Sequence, residues 1–266
     1  MTEIRDITGT TRVLGILADP IAHVKAPPGI NRIARQRGRD AVMVPFQVAP
    51  ADLAHFAGSL RALKSFDGAI ITVPHKGAMA RLCDEVSPSA RAIGAVNVIR
   101  RETDGRLVGD MLDGRGFIAG LAVAGIPIRG LRAYLAGAGG AANAIAFALV
   151  EGGVAKLTIA NRTRDKAEAL RQRILELHPE ASVFIGDSDP SGHDLIVNGT
   201  SLGMREDDAS PLDTSRLTAE MIVAEVIMVP TLTPLLIAAQ AKGCRIHLGK
   251  PMLDQQLELM ADYFGL

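Results

Sequence analysis

Residues 131–163 read Leu-Arg-Ala-Tyr-Leu-Ala-Gly-Ala-Gly-Gly-Ala-Ala-Asn-Ala-Ile-Ala-Phe-Ala-Leu-Val-Glu-Gly-Gly-Val-Ala-Lys-Leu-Thr-Ile-Ala-Asn-Arg-Thr. A short apolar run, Ala133–Ala136, predicts a strand. It stops at Gly137-Ala138-Gly139-Gly140-Ala141-Ala142, and a small-residue helical pattern follows as far as Gly152-Gly153. A second apolar run, Leu157–Ala160, ends at Asn161-Arg162-Thr163. Strand, glycine turn, helix and strand make one βαβ unit. Gly137, Gly139 and Ala142 fall on a G-x-G-x-x-[GA] spacing. That spacing permits a tight turn, close approach of a pyrophosphate to backbone N–H groups at a helix N-terminus, and tight helix–strand packing. The spacing alone is a weak signal, and a ligand-free glycine turn would share it. The strand before it and the helix after it supply the context that a dinucleotide site requires. Gly137, Ala138, Gly139, Gly140 and Ala141 are therefore predicted to hold the cofactor.

The end of the second strand indicates which dinucleotide. An NAD site places a carboxylate there for the ribose hydroxyls. This chain has Asn161-Arg162-Thr163-Arg164 instead. No carboxylate repels a 2′-phosphate, and two guanidiniums are available to bind one. NADP is favoured, with NAD as the alternative. The competing reading makes Arg162 and Arg164 ordinary solvated charges at a helix start.

The remaining composition narrows the class. The chain has 266 residues, 48% of them hydrophobic, enough for one large or two medium domains without disulfides. Its formal net charge is zero, which argues against nucleic acid or an anionic membrane surface as the main partner. Cys83 and Cys244 are isolated, and no Cys/His spacing resembles a metal site, so reduced thiols in a cytoplasmic protein are expected. The start, Met-Thr-Glu-Ile-Arg-Asp, lacks the apolar core of a signal peptide, and no apolar run is long enough for a bilayer span. A small-molecule substrate is the expected partner, and a homodimer is one admissible assembly.

Outside the glycine unit the chain also alternates strand and helix. Predicted strands cover Val13–Leu17, Val42–Val48, Gly68–Val73, Ala181–Ile185, Asp194–Val197, Met221–Val229 and Cys244–Leu248. Pro27 or Pro28 can open one helix and Pro50 another. Asp104-Gly105 marks a hairpin leading to Arg106–Gly109. A charged helix runs to about His178, and another covers Leu232–Ala241. A final amphipathic helix carries Leu253, Leu257, Met260 and Tyr263 on one face. The fold class is α/β, with an N-terminal α/β substrate domain, a Rossmann-type dinucleotide-binding domain and a C-terminal helix returning to the first. The expected boundaries are 1–112, completed by 249–266, and 113–248.

Ligands of such sheets sit at the carboxyl ends of strands. Thr72, Lys76, Asn97, Asp113 and Thr200 fall at or near such ends. A lysine beside a carboxylate can act as general acid or base, although a solvated surface charge is the blander reading of each taken singly.

From His23 to Gln256 the chain resembles the shikimate/quinate dehydrogenase family. The matching pieces include Asp19-Pro20-Ile21-Ala22-His23, Thr72-Val73-Pro74-His75-Lys76, Gly94-Ala95-Val96-Asn97, Gly109-Asp110 and Asp113-Gly114. The glycine turn, Asn161-Arg162-Thr163, Asn198-Gly199-Thr200-Ser201, Gly203-Met204, Pro230–Leu236 and Met252-Leu253-Asp254-Gln255-Gln256 follow in family order. The resemblance implies an NADP-dependent oxidoreductase acting on a secondary hydroxyl of a cyclic polyol related to shikimate or quinate. By the same resemblance Lys76 and Asp113 are the catalytic pair: the lysine exchanges the hydroxyl proton, and the aspartate orients and tunes it. Thr72, Asn97 and Gln256 match residues that bind ring hydroxyls. Val226 and Gly249 match positions near the nicotinamide, and Thr200 is placed with the cofactor residues.

The chain also departs from the family pattern, and the first departure removes both hydroxyls that would grip the substrate carboxylate. The family's His-Ser-x-Ser-Pro is His23-Val24-Lys25-Ala26-Pro27 here, its Asn before the Val-Thr segment is Ile70, and its Tyr before Pro-x-x-Thr is Met228. The Asn-Thr that usually precedes the catalytic aspartate is Met111-Leu112. Hydrogen bonds to a charged group contribute roughly 1.5–3 kcal/mol each. Losing three would cost about 4–9 kcal/mol if they were additive, and the low end is about a thousandfold in affinity. An apolar wall also raises the desolvation cost of an anion. The expected substrate therefore has its carboxylate absent, moved or replaced by a less polar group; a displaced one would need Lys25 or Lys250. The alternatives are a shikimate or quinate dehydrogenase with a rewired carboxylate site, and a catalytically idle dinucleotide-binding sensor.

Overall fold

The computed structural model describes residues 6–266; the start of the chain, read above for a leader, lies mostly in residues 1–5, outside that range. The chain divides into two compact units, 1–112 with 257–266, and 113–256.

The first unit is built on β1 (Arg12–Ala18), α1 (Ala26–Gln36), β2 (Ala41–Gln47), α2 (Leu53–Ala62) and β3 (Phe66–Ile71), followed by α3 (Lys76–Leu82), β4 (Glu85–Val86), α4 (Pro88–Ile93), β5 (Val98–Arg101) and β6 (Leu107–Asp110). The sheet order is β2-β1-β3-β5-β6-β4. β1 pairs in parallel with β2 and β3, whereas β5 is antiparallel to both β3 and β6. The predicted hairpin turn is present: Glu102 N–H donates to Arg106 O at 2.8 Å, and Gly105 takes the left-handed φ of 93° that the turn needs. Both helix starts predicted at proline form, with Pro27 in the first turn of α1 and Pro50 opening a 3₁₀ turn ahead of α2. The predicted strand Gly68–Val73 ends earlier, at Ile71. Beyond it Thr72 N–H still reaches Leu17 O at 3.1 Å, and the chain then turns through His75 N–H to Thr72 O at 2.8 Å.

The second unit comprises α5 (Asp113–Val123), β7 (Arg132–Ala136), α6 (Gly140–Glu151), β8 (Lys156–Ala160), α7 (Arg164–Leu177), β9 (Val183–Gly186), β10 (Leu195–Asn198), β11 (Ile222–Glu225), α8 (Pro234–Ala241), β12 (Arg245–His247) and the start of α9 (Lys250–Tyr263). Its six strands are all parallel in the order β12-β11-β10-β7-β8-β9. The strand order reverses between β7 and β10, a topological switch point where doubly wound sheets bind ligands. Tyr134, Ile196, Val223 and Leu236 are fully buried in its core.

The predicted strand Met221–Val229 is half as long in the structure. β11 stops at Glu225 because its neighbours β10 and β12 end at Asn198 and His247, and no strand is left to pair with residue 226 onward. The expected return of the whole segment 249–266 is also divided. Pro251, Met252 and Gln256 pack against α5, where Gly116 and Gly120 leave no Cβ in the way. From Leu257 onward the helix belongs to the first unit: Arg37 binds Glu258 and Asp262 at 2.8 and 2.6 Å, and Tyr263 Oη donates to Val108 O at 2.9 Å. Both cysteines are free thiols, and burial pushes Cys83 up to about 11. Among the described residues no helix is long and apolar enough to cross a membrane.

Candidate active site

In the second unit the glycine turn joins the buried end of β7 to α6. Gly137 has φ 114°, a left-handed conformation that a side chain rarely adopts, and a Cβ there would lie 3.1 Å from Gly199 and Thr200. The β7 turn and the β10 turn are thus in direct backbone contact at the switch point. At Gly139 and Gly140 a Cβ would meet nothing within 4 Å. Both residues are exposed, Ala138 is nearly buried and Ala141 is half-buried. The twelve-residue α6 starts there, and the N–H groups of a first helical turn have no intrahelical partner. An open space beside a helix N-terminus fits a pyrophosphate.

At the end of β8, Asn161 Nδ2 donates to Thr163 O at 2.8 Å and folds the strand end into a short turn. Arg162 and Thr163 are exposed. Arg164 pairs with Glu168 at 2.8 Å, whereas Arg162 forms no ion pair among the described residues and remains available to an anion. No carboxylate lies between 161 and 164. These features fit a 2′-phosphorylated dinucleotide.

The β10 turn is tightly organised. Asn198 Oδ1 accepts Thr200 N–H at 3.0 Å and Thr200 Oγ1–H at 2.7 Å, and Thr200 Oγ1 in turn accepts Leu202 N–H at 3.0 Å. The Thr200 hydroxyl is therefore engaged within its own turn. Val226 is half-buried, and Gly249 packs on its peptide: a Cβ at Gly249 would lie 2.3 Å from Ile227 O. Glu225, Asn198 and Thr233 form a buried polar cluster behind this surface. Sequence reading missed Glu225. The available signal was one acid inside the otherwise apolar run Met221–Val229.

Asp113 opens α5 and is 7% exposed. Gln256 Nε2 donates to Asp113 Oδ1, so these two predicted residues are brought together within the second unit.

In the first unit three predicted residues gather at one end of the sheet. Ile71 N–H donates to Asn97 O at 2.8 Å, and Val96 N–H to Lys76 O at 3.1 Å. Thr72 and Lys76 are half-buried, and Asn97 is 1% exposed. Asn97 Oδ1 accepts the N–H of Leu112, the residue before Asp113, at 2.8 Å. His75, between Thr72 and Lys76, is buried with Nε2 unpaired, a core histidine in its setting. In the first loop Val24 is half-buried, and Ala26 is the buried first residue of α1. Ile70 is 5% exposed within β3. No hydroxyl or amide stands at these three positions. Of the two lysines considered for a displaced carboxylate, Lys250 is paired with Asp254 at 2.5 Å and Lys25 is exposed at the N-cap of α1.

A separate cavity of about 220 Å³, lined by Arg132, His193, Asp194 and Arg216 among others, lies at the amino ends of β7 and β10. That is the edge away from the glycine turn, and two of its polar side chains already have partners: Arg132 Nη2 donates to Asp194 at 2.6 Å, and His193 Nε2 lies 2.8 Å from Thr158 Oγ1.

The sequence and fold are similar to those of known proteins. Residues 16–99 match the family model described as the shikimate dehydrogenase substrate binding domain, and residues 122–183 match shikimate / quinate 5-dehydrogenase. The chain is 40% identical to a shikimate dehydrogenase (NADP(+)) of Geobacter metallireducens over 95% of this chain and 91% of that one. Among solved structures it is similar to a shikimate dehydrogenase in complex with NADP+, with TM-score 0.89 and 32% identity over 98% of this chain and 92% of that one. It is also similar to the ligand-free 5-ketofructose reductase of Gluconobacter sp. strain CHM43, with TM-score 0.85 and 31% identity over 97% and 99% of the two chains. With both halves matched and nearly its whole length aligned, the chain belongs to the shikimate dehydrogenase family.

Proposed function

We propose that this protein catalyses reversible, NADP-dependent oxidation of a secondary hydroxyl on a polyhydroxy substrate that carries no carboxylate where shikimate has one. The observation that carries this reading is the first loop. Val24 and Ala26 stand where, by the resemblance, the family's two hydroxyls grip the substrate carboxylate, and Ile70 in β3 replaces a nearby amide with hydrocarbon. A carboxylate placed there would lose its water without gaining donors. The relative named 5-ketofructose reductase supports the reading, because a ketohexose derivative of that kind has hydroxyls and carbonyls but no carboxylate.

The first unit, with 257–266, is the substrate-binding part, and the second holds the dinucleotide. Bound NADP(H) supplies or accepts the hydride. Gly139, Gly140 and Ala141 hold its pyrophosphate on the start of α6, with Gly137 and Ala138 shaping the turn. Asn161, Arg162 and Thr163 take the adenosine 2′-phosphate, and Thr200, Val226 and Gly249 form the backbone surface near the nicotinamide. Lys76 Nζ gives the proton to the carbonyl oxygen in reduction and takes it back in oxidation, so the alcohol O–H and C–H leave as proton and hydride. Asp113, which accepts a hydrogen bond from Gln256, is the carboxylate that orients and tunes the lysine. Thr72 and Asn97 present hydrogen-bonding groups to the substrate hydroxyls.

Steady-state turnover of shikimate, quinate, 5-ketofructose and a panel of cyclic polyols with NADP(H) and NAD(H) tests the substrate assignment. High kcat/KM for shikimate would sink it. Lys76→Met should lower kcat for the best substrate by about 10²–10⁴-fold while leaving NADPH binding intact. Unchanged turnover would remove Lys76 from the mechanism.

A further inference from the structure

Glu225 is fully buried, 0% exposed, at the last position of β11. A buried carboxylate is costly unless its oxygens are saturated with donors. Here Oε1 accepts the N–H groups of Val226 and Ile227 at 2.9 and 3.1 Å, and Oε2 accepts Asn198 Nδ2 and Thr233 Oγ1 at 3.0 Å each. Burial still holds its pKa above the usual carboxylate range, against the pull of those four donors. The donors come from three separate segments: Asn198 at the end of β10, the chain after β11, and the N-cap of α8. Sheet pairing ends at Asn198 and Glu225, so the chain that follows each of them, and Thr233, has no ladder to fix it. The 226–227 peptides are the surface on which Gly249 packs.

We propose that Glu225 is the positioning residue for the nicotinamide end of the cofactor: it ties the 198–202 turn, the 226–227 peptides and the start of α8 into one rigid wall. The inference rests on the reading above that Val226 and Gly249 lie beside the nicotinamide. Glu225 itself touches no ligand. A carboxylate suits this role because every group facing it donates. A carboxamide in its place would turn an N–H₂ toward at least one donor, and the wall would open on that side.

The test separates the two ends of the cofactor by calorimetry. NADP+ and 2′-phospho-ADP-ribose, which lacks nicotinamide, are titrated into the whole protein and into Glu225→Gln, Thr233→Val and Thr233→Ser. Glu225→Gln should weaken NADP+ by about tenfold and leave 2′-phospho-ADP-ribose unchanged. Thr233→Val should weaken NADP+ several-fold, and Thr233→Ser, which keeps the hydroxyl, should restore it. Equal losses for both ligands, or no loss for either, would overturn the proposal. If Glu225→Gln does not fold, the Thr233 pair decides by the same criterion. If the unaltered protein binds 2′-phospho-ADP-ribose as tightly as NADP+, the positioning role alone fails. If it binds neither, the cofactor reading fails and takes this inference with it.

Discussion

Gln256 Nε2 donates directly to Oδ1 of Asp113, joining α9 to the first residue of α5. Asp113 is 7% exposed, and a carboxylate so placed needs its lone pairs occupied. Gln256 thus holds the carboxylate of the proposed catalytic pair, a task beyond the substrate contact expected for it.

Gln256→Leu removes that donor while keeping much of the side-chain volume. A hydrogen bond to a charged group contributes roughly 1.5–3 kcal/mol, so kcat/KM should fall by about ten- to a hundredfold. A holding role lowers kcat; a substrate contact alone raises KM and leaves kcat in place. Steady-state kinetics with the best substrate separates the two.

Arg162 is exposed just beyond β8 and forms no ion pair among the described residues. Arg162→Ala should raise KM for NADP+ by about tenfold or more and leave KM for NAD+ nearly unchanged. Equal changes for both cofactors would show that the guanidinium does not face the 2′-phosphate.

Gly137 combines a φ of 114° with backbone 3.1 Å from the position of an added Cβ. Gly137→Ala should destabilise the protein by about 1–3 kcal/mol and weaken the cofactor at the same time. Urea unfolding and NADPH titration measure the two effects. An alanine variant as stable as the parent would contradict the strain argument.

His247 is 3% exposed, its Nε2 is unpaired, and its ring meets Phe117 edge-on. Burial, with a smaller contribution from Arg245, holds its pKa below the ordinary imidazole value of about 6.5. Between the folded and unfolded values the unfolded chain binds more protons. Stability from this group is therefore complete above about pH 6.5 and is lost as pH falls toward the folded value. His247→Leu should flatten that slope in urea midpoints taken from about pH 5 to about pH 8. An unchanged slope would place the acid sensitivity elsewhere.

Much of this was legible in order along the chain. The 131–163 stretch alone specifies strand, turn, helix and strand, because glycine spacing and hydrophobic period are local properties. The same holds for the Asp104-Gly105 hairpin and the helix starts at Pro27 and Pro50. That Val24, Ala26 and Ile70 carry no hydroxyl or amide was legible too, since side-chain chemistry is read directly from residue identity. Local reading failed where pairing partners decide. Apolar continuity in Met221–Val229 predicts one long strand, but a strand ends where its neighbours end, and β10 and β12 lie far from β11 in sequence. That early end leaves Glu225 at the last position of β11, where its carboxylate becomes the acceptor for three segments. It is tertiary structure, too, that splits α9 between two units and sets Gln256 on Asp113, because contacts between residues 143 positions apart depend on which helix faces approach and not on the residues beside them.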